Sequence, residues 1–256
     1  MKIVRTIAGL GAVPRHGVVG LVPTMGALHA GHVSLFEAAR RECDLVVASL
    51  FVNHAQFALG EDFARYPRDE EADARIAERA GVDILFAPSA DEIYPDGFQT
   101  WVDVEELSKP LEGEFRPGHF RGVATICLKL FNVVRPGRAY FGAKDAQQAA
   151  VLRRMVRDLN LELELRVLPT VRDPDGLAVS SRNAHLSPEE RGRALALPHA
   201  LATRDRDRAR ELLATAGVDI DYVGVLEDED ARVLAGAIRV GSTRLIDNVP
   251  LEGESQ

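Results

Sequence analysis

Apolar residues in this chain come in short runs, and between the runs they recur at helical spacing. VVGLVP (18–23) and LVVASLFV (45–52) are apolar almost throughout instead of alternating, which is the pattern of strands covered on both faces. Such strands need a helical layer above and below, so these runs restrict the chain to an α/β fold with a parallel sheet. GHVSLFEAARREC (31–43) supplies a crossover helix between them, with Val33, Phe36 and Ala39 spaced to share a face. EEADARIAERAG (70–81) predicts a polar-faced helix ended by Gly81, followed by the short strand DILFA (83–87).

GVATICLKLFNVV (122–134) repeats apolar residues at helical spacing, with Val123, Ile126, Cys127, Leu130, Phe131 and Val134 on one stripe. RAYFG (138–142) reads as a strand, DAQQAAVLRRMVRDLN (145–160) as a helix, and LELELRVL (161–168) as a strictly alternating strand. Repeated βα units with right-handed crossovers predict a Rossmann-like open parallel sheet with helices on both faces. Ligands in such a sheet bind at the carboxyl ends of its strands. After Pro169 the pattern changes to the turn-rich TVRDPDGLAVSSRN, then a helix start at Ser187-Pro188-Glu189-Glu190 with a capping box. DYVGVL, AGAIRV and STRLIDNV predict three short strands. The expected division is residues 1–169 as the Rossmann-like domain and 170–256 as a smaller α+β domain.

A net charge of −8 leaves no broad basic face for nucleic acid or an anionic membrane, though a local basic cluster remains possible. The longest apolar run is far too short to span a bilayer, and MKIVRTIAGLGAVPRHG has no secretory apolar segment. Cys43 and Cys127 both lie in apolar patterns and read as buried free thiols. A cytoplasmic location is expected.

Three short stretches carry chemistry. PTMGALHAGH (23–32) joins a buried strand to a helix and sets His29 and His32 three residues apart at its start. Free amides and the positive dipole end of a helix favour phosphate there, with Gly26 permitting the turn and Gly31 a close backbone approach. Two surface histidines are the plain alternative. Zinc is disfavoured, because no third His or Cys stands at a ligand spacing. YFGAKDAQQ (140–148) follows a strand, so Gly142, Lys144 and Asp145 should sit at the sheet's carboxyl edge. Lys144 there either meets a phosphate or is a solvated loop lysine. DGLAVSSRN (175–183) offers Ser180, Ser181 and Arg182 as phosphate donors, a weak signal alone.

Taken together, PTMGALHAGH, SLFVNHAQF, ARYPRDEEAD, FAPSADEIYP, LEGEFRPGHFRGVAT, YFGAKDAQQ, DGLAVSSRN and TRLIDN resemble the pantoate–β-alanine ligase (pantothenate synthetase) family of HxGH nucleotidyltransferases. The resemblance runs from about residue 18 to 193 and resumes in DYV and TRLIDN. It implies that pantoate, activated by ATP and Mg2+ as an acyl-adenylate, is joined to β-alanine with release of pyrophosphate and AMP, in a homodimer. By the same resemblance, Pro23, Thr24, Met25, Gly26, Ala27, Leu28, His29, Ala30, Gly31 and His32 form one side of the ATP site. Gly142, Ala143, Lys144, Asp145, Val171, Val179, Ser180, Ser181 and Arg182 complete it. His32, His29, Lys144, Ser180, Ser181 and Arg182 are the catalytic candidates, acting by charge stabilisation. Gln56 and Gln148 match the family's pantoate-binding glutamines, and Asn53 shares the loop of Gln56.

RPGHFRG precedes a helix, with His119 and Arg121 as further candidates without an assigned role. Asp73 is a candidate metal-side carboxylate, with a solvated helix face as the stronger reading. Four features depart from the family pattern: His54 replaces the proline of FVNPxQF, Ala143 the glutamate of FGEKD, and Ala146 a frequent aromatic. The stretch between Ala202 and Asp219 also looks shortened. They leave open a related adenylating ligase for another acid, or a nucleotide-binding protein without turnover.

Overall fold

The computed structural model describes residues 1–58 and 61–251. Among these, six strands form a parallel sheet: β1 (Lys2–Val4), β2 (Val19–Thr24), β3 (Leu45–Leu50), β4 (Ile84–Phe86), β5 (Arg138–Gly142) and β6 (Glu164–Leu168). Their spatial order is β1-β4-β3-β2-β5-β6. The chain builds outward from β2 through β3 and β4, then returns to lay β5 and β6 on the other side of β2. The order therefore reverses between β2 and β5, and a crevice opens there at the carboxyl ends of the two strands.

The helices of this half are α1 (Ile7–Gly11), α2 (Ala30–Glu42), α3 (Glu70–Arg79), α4 (Ala90–Ile93), α5 (Glu112–Phe115), α6 (His119–Val134) and α7 (Ala146–Asp158). Phe36 and Ala39 of α2 and Ala77 of α3 pack with Val46 and Leu85 on one face of the sheet. Leu10, Val123, Cys127, Leu130, Val151 and Leu152 from α1, α6 and α7 cover the other. A fully buried side chain such as Phe36 or Leu152 contributes roughly 1.5–3 kcal/mol relative to exposure. Both cysteines are buried and free, as their apolar settings predict.

Two boundaries differ from the sequence reading. The α7 helix stops at Asp158, and Asn160 takes a left-handed φ of 51°, so Leu161 turns back to donate to the Val156 carbonyl. The following strand thus starts at Glu164, and the first half of LELELRVL serves as a turn whose leucines still pack on the core. The strand β1 and helix α1 lack a sequence signal of comparable strength, being only three and five residues long.

Beyond β6, α8 (Pro188–Ala194), α9 (Ala196–Leu201) and α10 (Arg206–Thr215) precede an antiparallel sheet of β7 (Asp219–Glu227), β8 (Arg232–Val240) and β9 (Thr243–Pro250). The Ser187–Glu190 capping box forms, with Pro188 at the first helical turn. One face of this small sheet packs on the three helices through Leu197, Leu201, Leu213 and Leu234. The other face presents Tyr222, Val233 and Ala237 to Ala146 and Ala150 of α7. No described helix is long and apolar enough to cross a membrane.

Candidate active site

The turn after β2 is built on two residues that most side chains would not permit. Gly26 has φ +88°, and a Cβ there would meet Asp73 Oδ2 and Leu50 Cδ1, each at 2.8 Å. Ala27 follows at φ 51°. The amides that this turn exposes are taken by one side chain: Ala27 N donates to Asp73 Oδ2 at 3.0 Å and Leu28 N to Asp73 Oδ1 at 2.8 Å.

Asp73 is only 4% exposed. That burial corrects the reading as a solvated helix face, and with its two backbone donors Asp73 serves as the anchor of the turn. Among the described residues no group of three or more His, Cys, Asp or Glu could hold a metal ion. A signal was present in the sequence: Asp73 lies four residues before Ala77, on the helix's apolar stripe.

His29 is the N-cap of α2, and its Nδ1 accepts from Gly31 N at 3.2 Å. His32 reaches back so that its Nδ1 accepts from His29 N at 3.3 Å. An amide can only donate, so each Nδ1 lacks a proton and each neutral ring carries its proton on Nε2. The two half-buried rings lie 4.1 Å apart, centre to centre. Burial first, then the Lys144 charge, lowers the His29 pKa to about 4. Burial first, then His29 and Lys144, lowers that of His32 to about 3. Both are therefore neutral Nε2–H donors at pH 7. Gly31 leaves room for the His29 ring to cap the helix, since a Cβ would stand 3.0 Å from His29 Cε1 and crowd it.

A cleft of about 210 Å³ opens at the β2/β5 reversal. Pro23, Thr24, Met25, His29 and His32 border it, as do Gly142, Lys144 and Asp145 from the turn after β5. Ser180, Ser181 and Arg182 close it from the loop beyond β6, with Ser180 Oγ accepting from Arg182 N at 3.3 Å. Gln56 and Gln148 also line it. Three segments far apart in the chain thus bring their donors to one cavity. Ala27, Leu28, Ala30, Gly31 and Ala143 shape the surrounding backbone. Val171 and Val179 pair with each other, Val179 N donating to Val171 O at 2.9 Å, and hold the loop behind Ser180.

The two neighbouring glutamines have different surroundings. Gln147 is buried, donating to the Leu107 and Pro110 carbonyls and accepting from Glu112 N. Gln148 faces the cleft. Asn53 is 1% exposed and fully engaged: it donates to Gln56 Oε1 and Gly122 O and accepts from Tyr94 Oη. It orients Gln56, whose Oε1 and Nε2 each retain one hydrogen-bonding position. His54 opens the short 3-10 turn His54–Gln56, a position that suits proline, and its ring meets the Tyr94 edge at 5.0 Å. Ala146 lies against the C-terminal sheet.

Arg116 and His119 border the cleft as well, whereas Arg121 is exposed and lies 5.2 Å over the Trp101 ring. His119 donates from Nδ1 to the Gln56 carbonyl at 2.9 Å and faces Arg116 Nη1 with Nε2 at 3.1 Å. Burial first, then the Arg116 charge, lowers its pKa to about 4. An unfolded-state histidine near 6.5 takes up a proton before this one does, so stability should fall as pH drops from 6.5 toward 4. His119 alone should account for about 2 kcal/mol between pH 6.5 and pH 5. Urea midpoints across that range should flatten in His119→Gln, and an unchanged slope would rule the effect out.

The sequence profile described as pantoate-β-alanine ligase matches residues 2–250. A pantothenate synthetase of Heliobacterium modesticaldum is 52% identical over 257 residues, covering 91% of this chain and 92% of its own. That of Geobacter sulfurreducens is 47% identical over 284 residues, which take in the whole of both chains. An alignment longer than this 256-residue chain means that the relative carries residues without a counterpart here. The crystal structure of pantothenate synthetase from Thermus thermophilus superposes with a TM-score of 0.94 at 48% identity, over 98% of this chain and 99% of that one. A pantoate-β-alanine ligase from Francisella tularensis, complexed with beta-gamma ATP and β-alanine, gives 0.89 at 34% identity over 99% of each. With its nucleotide-type cleft at the sheet reversal and relatives of this similarity along its length, the chain belongs to the pantoate–β-alanine ligase family.

Proposed function

We propose that the chain activates pantoate with ATP as a pantoyl-adenylate, then passes the acyl group to β-alanine, releasing pyrophosphate and AMP. The observation that carries this is the convergence of His29, His32, Lys144 and Ser180–Arg182 on one cleft that also holds the neutral amides of Gln56 and Gln148. In the first step a pantoate carboxylate oxygen bonds to the α-phosphorus as the bond to the pyrophosphate oxygen breaks. Negative charge grows on the phosphate oxygens, and preformed donors aimed there lower the barrier. The neutral imidazoles supply Nε2–H hydrogen bonds without delivering a proton. In the second step the β-alanine amine attacks the acyl carbon, the bond to AMP breaks, and the nitrogen sheds a proton.

The Francisella relative, complexed with beta-gamma ATP and β-alanine, supports both as ligands here. Neutral amides suit the acid, because a tight ion pair would blunt its carboxylate as a nucleophile. Magnesium belongs to this reading as a companion of the nucleotide phosphates. Among the described residues no group of three or more His, Cys, Asp or Glu could hold a metal ion, so the phosphates themselves would carry it. Residues 1–169 hold nucleotide and acid, and 170–256 act as a shortened lid domain. The enzyme is read as a cytoplasmic homodimer, so light scattering should return twice the chain mass, and a monomer would refute that.

The decisive measurement is pyrophosphate release from ATP and Mg2+ with pantoate, with and without β-alanine. Pantoate-dependent release, with pantothenate appearing only once β-alanine is added, is expected. Preference for another acid would point to a related ligase, and nucleotide binding without release to a protein that has lost turnover. Gln56→Ala should raise the pantoate KM about tenfold or more and leave the ATP KM nearly unchanged. The reverse pattern would remove Gln56 from the acid site.

A further inference from the structure

Strand β9 lies outside the cleft, yet three of its side chains hold segments that lead to the cleft wall. Asn248 donates from Nδ2 to the carbonyls of Ala143 at 2.8 Å and Lys144 at 2.9 Å, holding the turn that carries the Lys144 ammonium. Asp247, 3% exposed, takes both Arg172 nitrogens at 2.6 and 3.0 Å and so holds the loop that leads to Ser180 and Arg182. Arg244 forks onto Glu112, Nη2 to Oε1 at 2.6 Å and Nη1 to Oε2 at 2.8 Å, while its Nε donates to Asp221 at 2.6 Å.

From Glu112 the contacts continue into the acid side of the site. Glu112 is 6% exposed, accepts from Tyr222 Oη at 3.0 Å, and stands 3.8 Å from Arg116 Nη1. Arg116 pairs in two-pronged fashion with Glu61 and donates from Nη2 to the Gln56 carbonyl at 3.4 Å. His119, braced by Arg116, donates to the same carbonyl. Gly122 lets α6 approach this turn, because a Cβ there would run into the Ala55 carbonyl. The position of Gln56 is therefore tied to the C-terminal sheet through buried charged groups. Such groups keep their geometry, since removing one partner leaves the other charge buried and unpaired.

We propose that Arg244 and Asn248 of β9 are positioning residues with separate targets: Arg244 sets the acid-binding turn at Gln56, and Asn248 sets the nucleotide-binding turn at Lys144. The acid arm rests on the reading of Gln56 as a pantoate contact. Neither side chain touches a reacting atom. Each acts by fixing the backbone under a group that does, where a displacement of about an ångström is enough to lower the rate.

The test is a double dissociation in the full-length enzyme, with KM for pantoate and ATP, kcat and Tm measured together. Arg244→Lys keeps the charge but not the two-pronged fork. It should raise the pantoate KM about tenfold and leave the ATP KM within about twofold. Asn248→Ala should do the opposite, raising the ATP KM or lowering kcat while the pantoate KM stays within about twofold. A merely structural role would lower Tm and move both KM values together, and that result, or no change in either, overturns the proposal. If Arg244→Lys does not fold, Glu112→Gln carries the same expectation, since it removes the charge that links Arg244 to Arg116. Gln56→Ala runs as the control. If that variant leaves the pantoate KM unchanged, the acid assignment has failed and the proposal stands or falls on Asn248. If it raises the pantoate KM while Arg244→Lys and Glu112→Gln do not, the positioning role is refuted.

Discussion

His32→Ala should lower kcat by about 10²–10³-fold, the usual effect of removing one preorganised donor from a developing oxyanion. The fold should survive, because what is lost is the fold-back bond from His29 N and the ring contact with His29, a shift in Tm of no more than about 4 °C. His32→Gln separates the two roles. A glutamine at this helix position can reach back to the N-cap amide, so it should restore Tm without restoring kcat. The pH profile supplies a further check. With the His32 pKa near 3 and the His29 pKa near 4 in the ligand-free protein, both rings are neutral donors from pH 6 to pH 8, and neither should contribute a slope to kcat/KM there. A decline in kcat/KM as pH rises through about 6.5, lost in His32→Ala, would mean an imidazolium with an ordinary pKa and a proton-donor role.

Asp73→Ala should cost both stability and turnover. It leaves the amides of Ala27 and Leu28 without their acceptor in a buried turn, a penalty of roughly 2–5 kcal/mol and a Tm lower by roughly 5–15 °C. His29 and His32 follow that turn directly, so the ATP KM should rise and kcat fall in the variant that remains folded. Asp73→Asn keeps one acceptor but turns an NH2 group toward the second amide, so it should also lower Tm. A metal-side role predicts otherwise: an unchanged Tm and activity restored by excess Mg2+. That outcome would displace the anchoring role.

Residues that act through their neighbours in the chain were legible without the structure. VVGLVP and LVVASLFV are buried on both faces because no solvent-facing position interrupts them, and they became β2 and β3 at the centre of the sheet. The Ser187–Glu190 cap and the three C-terminal strands were equally local. The spacing of His29 and His32 already implied a shared helix face, although not that each Nδ1 would be taken by a backbone amide.

Residues that act across the fold were not legible. Asp73 reads as one more acid in EEADAR until the turn after β2 is packed against it. Asn53 reads as one loop amide among others until the fold bonds it to Gln56, Gly122 and Tyr94 in the wall of the cleft. Gln147 and Gln148 are adjacent and chemically identical, and only the helix phase of α7 turns one inward and the other to the cleft. Periodicity and turn chemistry act over a few residues, so the sequence by itself determined the longer strands and helices and the class of sheet, but not the short β1 and α1 or the start of β6. Which carboxylate is buried, which amide remains available and which strand braces the site depend on contacts between segments tens to hundreds of residues apart. Those contacts exist only once the chain has closed on itself.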